Sequence, residues 1–211
     1  HRTEGSSYER PTRWVADRLI AMTPHVHAMT RAREVCAQAL YYPMPATLNP
    51  GLDILRAAAR QQPCVALIHG TSRDDKLWPL DHWIALGRRL ATQGYSVALP
   101  HGSDAELALS QELAAALPGA VVWPRLPIDA LAARLATCAG AVGVDSGLSH
   151  IAVALDLPHV QIYNFDTAWR TGPEGLSHQC SVTDCPTPSV DAVWQAWTHC
   201  LDVSRTPREA V

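Results

Sequence analysis

The hydrophobic rhythm of the chain changes near residue 64. Downstream of it, short apolar runs with β-forming residues recur at Cys64–Ile68, Tyr95–Leu99, Ala120–Trp123, Gly140–Val144 and Val160–Tyr163. Between them lie amphipathic stretches of helical length: Pro79–Gln93, Asp104–Leu117, Ile128–Cys138 and Ser146–Leu155. This alternation predicts an α/β fold, a Rossmann-like parallel sheet with helices on both faces. A closing helix is predicted over Ser189–Val203, around Trp194 and Trp197. Upstream the pattern is helical. Pro11 suits the first turn of a helix that runs through Trp14, Arg18 and Leu19 to Pro24. A second helix is predicted over His25–Tyr42, which carries apolar residues at Val26, Met29, Val35, Ala39 and Leu40. Pro43, Pro45 and Pro50 then mark an extended linker, and residues 51–61 (Leu52, Ile54, Leu55, Ala58) read as one more short helix. The division expected is a helical linker segment over 1–50 and a Rossmann-like domain over 51–211.

In an open parallel sheet a ligand lies beyond the carboxyl ends of the strands. The loops there are 69–78, 100–104, 124–127, 145–150 and 164–177, and they hold most of the unusual polar residues. In Gly143–His150 an apolar strand gives way to a small polar turn and then a helix. The unpaired N–H groups and positive dipole end of such a helix suit a phosphate, which makes Ser146, Gly147 and Leu148 candidates. Lys76, with Thr71 and Ser72 nearby, offers the ammonium and the hydroxyl pair that hold a diphosphate; the plainer reading is a solvated loop. Asp145 is read either as a helix cap or as a ligand contact, and His150, in the first helical turn, as a packed or capping residue or a phosphate donor. Glu106, just past a loop, is placed to bind ribose hydroxyls or to sit as an ordinary surface helix residue.

Composition narrows the classes. The 211 residues suffice for one sizeable domain with an appendage, and 47% hydrophobic with 18% charged residues indicates a folded globular chain. A net charge of -3 and the lack of a basic stripe argue against nucleic-acid binding. No apolar run is long enough to cross a bilayer, and no cleavable signal opens the sequence; the start at His1 suggests a piece of a longer chain. Six scattered cysteines read as reduced thiols of a cytoplasmic protein. His178, Cys180 and Cys185 match no zinc spacing, and Asp74-Asp75 reads as exposed or paired with Arg73 rather than as a metal site. Ser146 follows no Gly-x-Ser-x-Gly elbow, because Gly143 and Gly147 bracket Val-Asp-Ser, so a nucleophilic serine is set aside.

Three runs carry a resemblance: Thr71-Ser72-Arg73-Asp74-Asp75-Lys76-Leu77-Trp78-Pro79, Leu99-Pro100-His101-Gly102 and Val144-Asp145-Ser146-Gly147-Leu148-Ser149-His150. Through them the chain resembles the ADP-heptose-binding half of the bacterial lipopolysaccharide heptosyltransferases, glycosyltransferase family 9, of the two-domain GT-B fold. The likeness covers nearly all of 64–203 and continues more weakly through Ser7–Pro11 and His27–Glu34. It implies that Thr71, Ser72, Lys76 and the Ser146–Leu148 backbone hold the donor diphosphate, that Asp145 and His150 belong to the sugar and phosphate turn, and that Glu106 binds the ribose. Leu126 stands where the family has a methionine beside the adenine. Asn164-Phe165-Asp166-Thr167 replaces the usual Gly-Pro-Thr-Asp-Pro, which leaves that loop's role open.

The implied reaction is inverting transfer of L-glycero-D-manno-heptose from ADP-heptose to Kdo of the lipopolysaccharide inner core, with no metal or other cofactor. The catalytic base and the groove for the Kdo-lipid A acceptor are expected in another domain, so the chain alone is expected to be inactive. The implied location is cytoplasmic, with peripheral association at the inner membrane. A non-catalytic nucleotide-binding module, and a GT-B transferase using another nucleotide sugar, are the alternatives.

Overall fold

The computed structural model describes residues 12–15, 17, 20–58 and 62–205. The readings made at Ser7–Pro11, Arg18, Leu19 and 59–61 lie outside the described residues. The chain forms two compact units, the first from the described part of His1–Leu48 with Thr167–Thr171, the second from Asn49–Asp166 with the described part of Gly172–Val211.

In the first unit, α1 (Thr12–Val15) is only four residues long, and residues 20–23 are irregular, so the predicted helix does not continue to Pro24. The second helix, α2 (Ala28–Leu40), is the one expected within His25–Tyr42. His27 Nδ1 accepts from the Met29 N–H at its start, and Tyr41 ends it in the left-handed conformation with φ 58°. Arg33 donates to the Thr47 carbonyl at 3.1 Å, which folds the proline-rich stretch back on this helix.

The second unit opens with α3 (Asp53–Ala58) and then builds the sheet. Its strands are β1 (Gln62–Ile68), β2 (Ser96–Leu99), β3 (Val121–Val122), β4 (Cys138–Val144), β5 (His159–Tyr163) and β6 (Gln179–Thr183). The order is β3-β2-β1-β4-β5-β6, and every pairing is parallel. Between them run α4 (Leu80–Thr92), α5 (Asp104–Ala116), α6 (Ile128–Leu135) and α7 (Gly147–Ala154). After β5 come the single turn α8 (Ala168–Thr171), which belongs to the first unit, and the closing helix α9 (Val190–Arg205). The five predicted strands are present; β6 is an addition.

Because the sheet is covered on both faces, alternate strand residues enter two different cores. Val65, Leu67, Val97, Leu99, Val142, Val160 and Ile162 meet Trp83, Leu86 and Leu90 of α4, Leu113 of α5 and Trp197 of α9. The opposite face is lined by smaller residues, Ala66, Ala98 and Ala141 with Ile68, against Leu135 of α6 and Ala152 of α7. The strand order reverses direction between β1 and β4. That switch point is where the loops after two adjacent strands part and leave a crevice.

Candidate functional site

Strand β1 ends at Ile68, directly opposite Gly143 of β4, so the loops that follow them start side by side. The first loop is pinned at its far end by Trp78, which is buried, packs edge-on against Trp83 at 4.8 Å and donates to the Pro188 carbonyl at 2.8 Å. Within it Asp74–Lys76 form a single 3-10 turn. Asp75 is engaged by Arg73, whose Nε donates to its Oδ1 at 3.0 Å, the pairing expected from the sequence. The second loop is only Asp145-Ser146 before α7 begins. Ser146, not Asp145, is the N-cap residue, and its hydroxyl faces Ser149 Oγ at 3.5 Å rather than closing a cap bond. The capping reading of Asp145 is therefore corrected: its carboxylate turns across the crevice instead.

There it receives Lys76 Nζ on Oδ2 at 2.6 Å and the Gln161 side-chain N–H on Oδ1 at 3.2 Å. His150 Nε2 lies 3.6 Å from the same Oδ1, with its side chain 45% exposed. The Thr71 hydroxyl donates to the Asp145 carbonyl at 3.2 Å. The Lys76 and Asp145 side chains retain 21% and 11% exposure, so the pair is shielded but reachable. In this setting an ion pair is screened less than at the surface.

Beside the pair lies a cavity of about 510 Å³, a size that suits a nucleotide-sized ligand. Thr71, Ser72, Glu106, Leu126, Ser146, Gly147 and Leu148, all singled out from the sequence, line it together. Lys76, Asp145 and His150 do not line it; they stand at the junction of the two loops next to Thr71 and Ser146. Ile68, His101, Arg125, Ile128 and Leu131 line it as well, and sequence reasoning did not single them out. The N–H groups of the first turn of α7 have no partner within their own helix, which leaves donors at that end of the cavity.

Glu106 also lines the cavity, and its position is built by three features. Ser103 caps α5 by accepting the Glu106 N–H at 3.2 Å. The carboxylate accepts the Gly102 N–H on Oε2 at 2.6 Å, and it lies over Gly70, where a Cβ would fall 2.5 Å from its Cδ. Below it, His69 is fully buried and its Nε2 is hydrogen-bonded to Ser110 Oγ at 2.8 Å. Burial pushes the His69 pKa down to about 4, against the pull of Glu106, so the ring is neutral near pH 7.

Gln161 and Asn164 are two further residues whose roles the sequence did not show. The signal for Gln161 is a glutamine in the middle of a strand whose five residues are all buried. Asn164 lies in the run that departs from the family's usual loop. Among the described residues, no group of three His, Cys, Asp or Glu side chains is placed to hold a metal ion, and no helix is long and apolar enough to cross a membrane.

An all-parallel sheet in the order 3-2-1-4-5-6, with a polar crevice at its switch point, defines a Rossmann-like α/β domain. The profile of glycosyltransferase family 9 (heptosyltransferase) matches residues 4–193, and the chain belongs to that family. It is 39% identical over 163 residues to lipopolysaccharide heptosyltransferase 1 of Pseudomonas aeruginosa, covering 76% of this chain and 46% of that protein. It is 35% identical over 142 residues to the Escherichia coli K12 protein of the same name, covering 65% and 44%. The chain thus spans about half the length of these relatives.

Among solved structures, E. coli heptosyltransferase WaaC with ADP superposes with a TM-score of 0.77 at 26% identity, covering 93% of this chain and 63% of that one. WaaC with ADP-2-deoxy-2-fluoro heptose gives 0.73 at 28% identity, covering 90% and 61%.

Proposed function

We propose that this chain is the ADP-heptose-binding half of an inverting heptosyltransferase of the lipopolysaccharide inner core. The observation that carries the reading is the Lys76–Asp145 pair at the switch point, with a nucleotide-sized cavity beside it. The hydroxyls of Thr71 and Ser72, the first-turn N–H groups of α7, the Glu106 carboxylate and the apolar side chain of Leu126 all line that cavity. The relatives' names and the ADP and ADP-heptose analogue in the WaaC structures support ADP-heptose as the donor.

In this reading Lys76 turns from Asp145 to the diphosphate, where an ammonium offsets the charge that grows on the departing ADP. Thr71, Ser72 and the α7 N–H groups hold the remaining phosphate oxygens. Asp145, relieved of Lys76, and His150 face the heptose side. Glu106 accepts from the ribose hydroxyls, and Leu126 forms the wall against the adenine. A base that lies outside these 211 residues takes the proton from a Kdo hydroxyl. That oxygen attacks the anomeric carbon as the bond to the diphosphate breaks, which inverts the centre. No metal or other cofactor enters this scheme. In this reading the Kdo-lipid A acceptor brings the cytoplasmic enzyme to the inner face of the membrane.

A thermal-shift series with ADP-, UDP- and GDP-sugars tests the reading. ADP compounds raise the melting temperature and the others do not; stabilisation by UDP- or GDP-sugars alone contradicts it.

A further inference from the structure

The middle of β5 and the residue just past its end carry side-chain amides, Gln161 and Asn164, and both are directed at the loops that hold Lys76 and Asp145. Gln161 is fully buried, where an apolar residue would avoid the cost of desolvating an amide, so its place in the core calls for a partner. That partner is Asp145: the Gln161 Nε2 donates to Oδ1 at 3.2 Å while Lys76 occupies Oδ2 at 2.6 Å. Only the N–H side of an amide can face an ionised carboxylate, so the chemistry sets the orientation of Gln161. Three residues on, Asn164 uses both polar atoms of its side-chain amide. Its Nδ2 donates to the Asp75 carbonyl at 3.0 Å and the Leu77 carbonyl at 2.8 Å, and its Oδ1 accepts from Thr187 Oγ1 at 2.8 Å. Those two carbonyls belong to the residues on either side of Lys76. One amide therefore fixes the carboxylate, and the other fixes the backbone that carries the ammonium.

We infer that Gln161 and Asn164 are positioning residues for a diphosphate: Asn164 holds Lys76 within reach of its oxygens, and Gln161 keeps Asp145 hydrogen-bonded when Lys76 leaves it. The inference rests on the donor reading above. Lysine is a point charge on a flexible stem, so fixing its backbone lowers what must be ordered on binding. A shielded carboxylate that loses its cation disfavours that move unless another donor remains. Both effects arise at the diphosphate and neither at the nucleoside.

Calorimetry on the full chain with ADP and with adenosine separates this role from a purely structural one. Gln161→Met and Asn164→Ala are each expected to weaken ADP binding about tenfold and to leave adenosine binding within about twofold. In an Asp145→Ala background, Gln161→Met is expected to add no further loss. Equal losses for both ligands, or a full further loss in the Asp145→Ala background, overturn the inference. If a variant does not fold, the wild-type chain still decides: the Gln161 and Asn164 side-chain amide resonances shift with ADP and not with adenosine, and unmoved resonances overturn it. ADP binding that neither substitution affects overturns this inference alone. A wild-type chain that binds no ADP overturns the donor reading together with it.

Discussion

Lys76 Nζ and Asp145 Oδ2 lie 2.6 Å apart across 69 positions of sequence, and that contact joins the loops after the two strands at which the sheet order reverses. Lys76→Met removes the ammonium while keeping most of the stem. We expect ADP affinity to fall about 10- to 100-fold, with adenosine affinity kept, because the lost charge acts on the diphosphate. Asp145 is then left with one fewer donor while only 11% exposed. Its side chain is expected to cost about 1–3 kcal/mol of stability, read from urea unfolding. Equal loss of ADP and adenosine affinity would place Lys76 outside the diphosphate site.

Gly70 leaves room for Glu106. A methyl group there would fall 2.5 Å from the Glu106 Cδ, so the carboxylate must swing away from the Gly102 N–H. Because the obstacle is the far end of a flexible side chain, Gly70→Ala is expected to fold with little loss of stability. Adenosine affinity should drop about as much as in Glu106→Ala, and no further in the double variant. Unchanged adenosine binding by Gly70→Ala, measured by calorimetry, would remove Glu106 from the nucleoside site.

Gly143 is a different case. A Cβ there would overlap Ser149 Oγ and lie 2.8 Å from the Ile68 Cβ, both on buried residues. Ser149 is itself tied to the Val144 carbonyl at 2.7 Å, so nothing nearby can swing clear. Gly143→Ala is expected to destabilise the fold by about 1–3 kcal/mol through overpacking between β4 and the start of α7. Urea unfolding checks this, and a loss smaller than that of Gly70→Ala would contradict it.

Two buried histidines set an acid limit. Burial lowers the pKa of His69 to about 4 and of His159 to about 3, below the usual value near 6.5. Between those values and 6.5 the unfolded chain binds more protons than the folded one, so stability falls as pH falls. Little change is expected from these groups above pH 7, and below about 6.5 each contributes a loss approaching about 1.4 kcal/mol per pH unit. Urea unfolding across pH 4.5–8 reads the slope. Replacing His159, whose Nδ1 lies 3.0 Å from the Ala141 carbonyl, with Gln should reduce it by about half. A stability that stays level from pH 7 to 5 would contradict the assignment.

Much of this architecture is legible in the sequence because the strands are buried on both faces. Runs such as Ala66-Leu67-Ile68 and Ala141-Val142 need no partner to be recognised as strands. What escapes is at the edges. The outer strand β6, Gln-Cys-Ser-Val-Thr, has no such run, and β3 shortens to Val121–Val122, with Val121 49% exposed, because it pairs on one side only. The site divides in the same way. Thr71, Ser72, Lys76 and Ser146 sit in loops at strand ends, and Glu106 in the first turn of the helix after one, where polar residues stand out. Gln161 and Asn164 do not: their meaning depends on facing Asp145 and the Lys76 turn, contacts that span 16 and 87–89 positions. Asp145 stands out in the sequence as a cap or a ligand contact, but its pairing with Lys76, 69 positions away, does not.

Titration of ADP into the intact folded chain by calorimetry tests the central claim most directly. The account predicts saturable one-site binding with a Kd of about micromolar order, and no comparable heat from UDP or GDP. A folded chain that gives no saturable heat with ADP, while keeping its thermal transition, would contradict it.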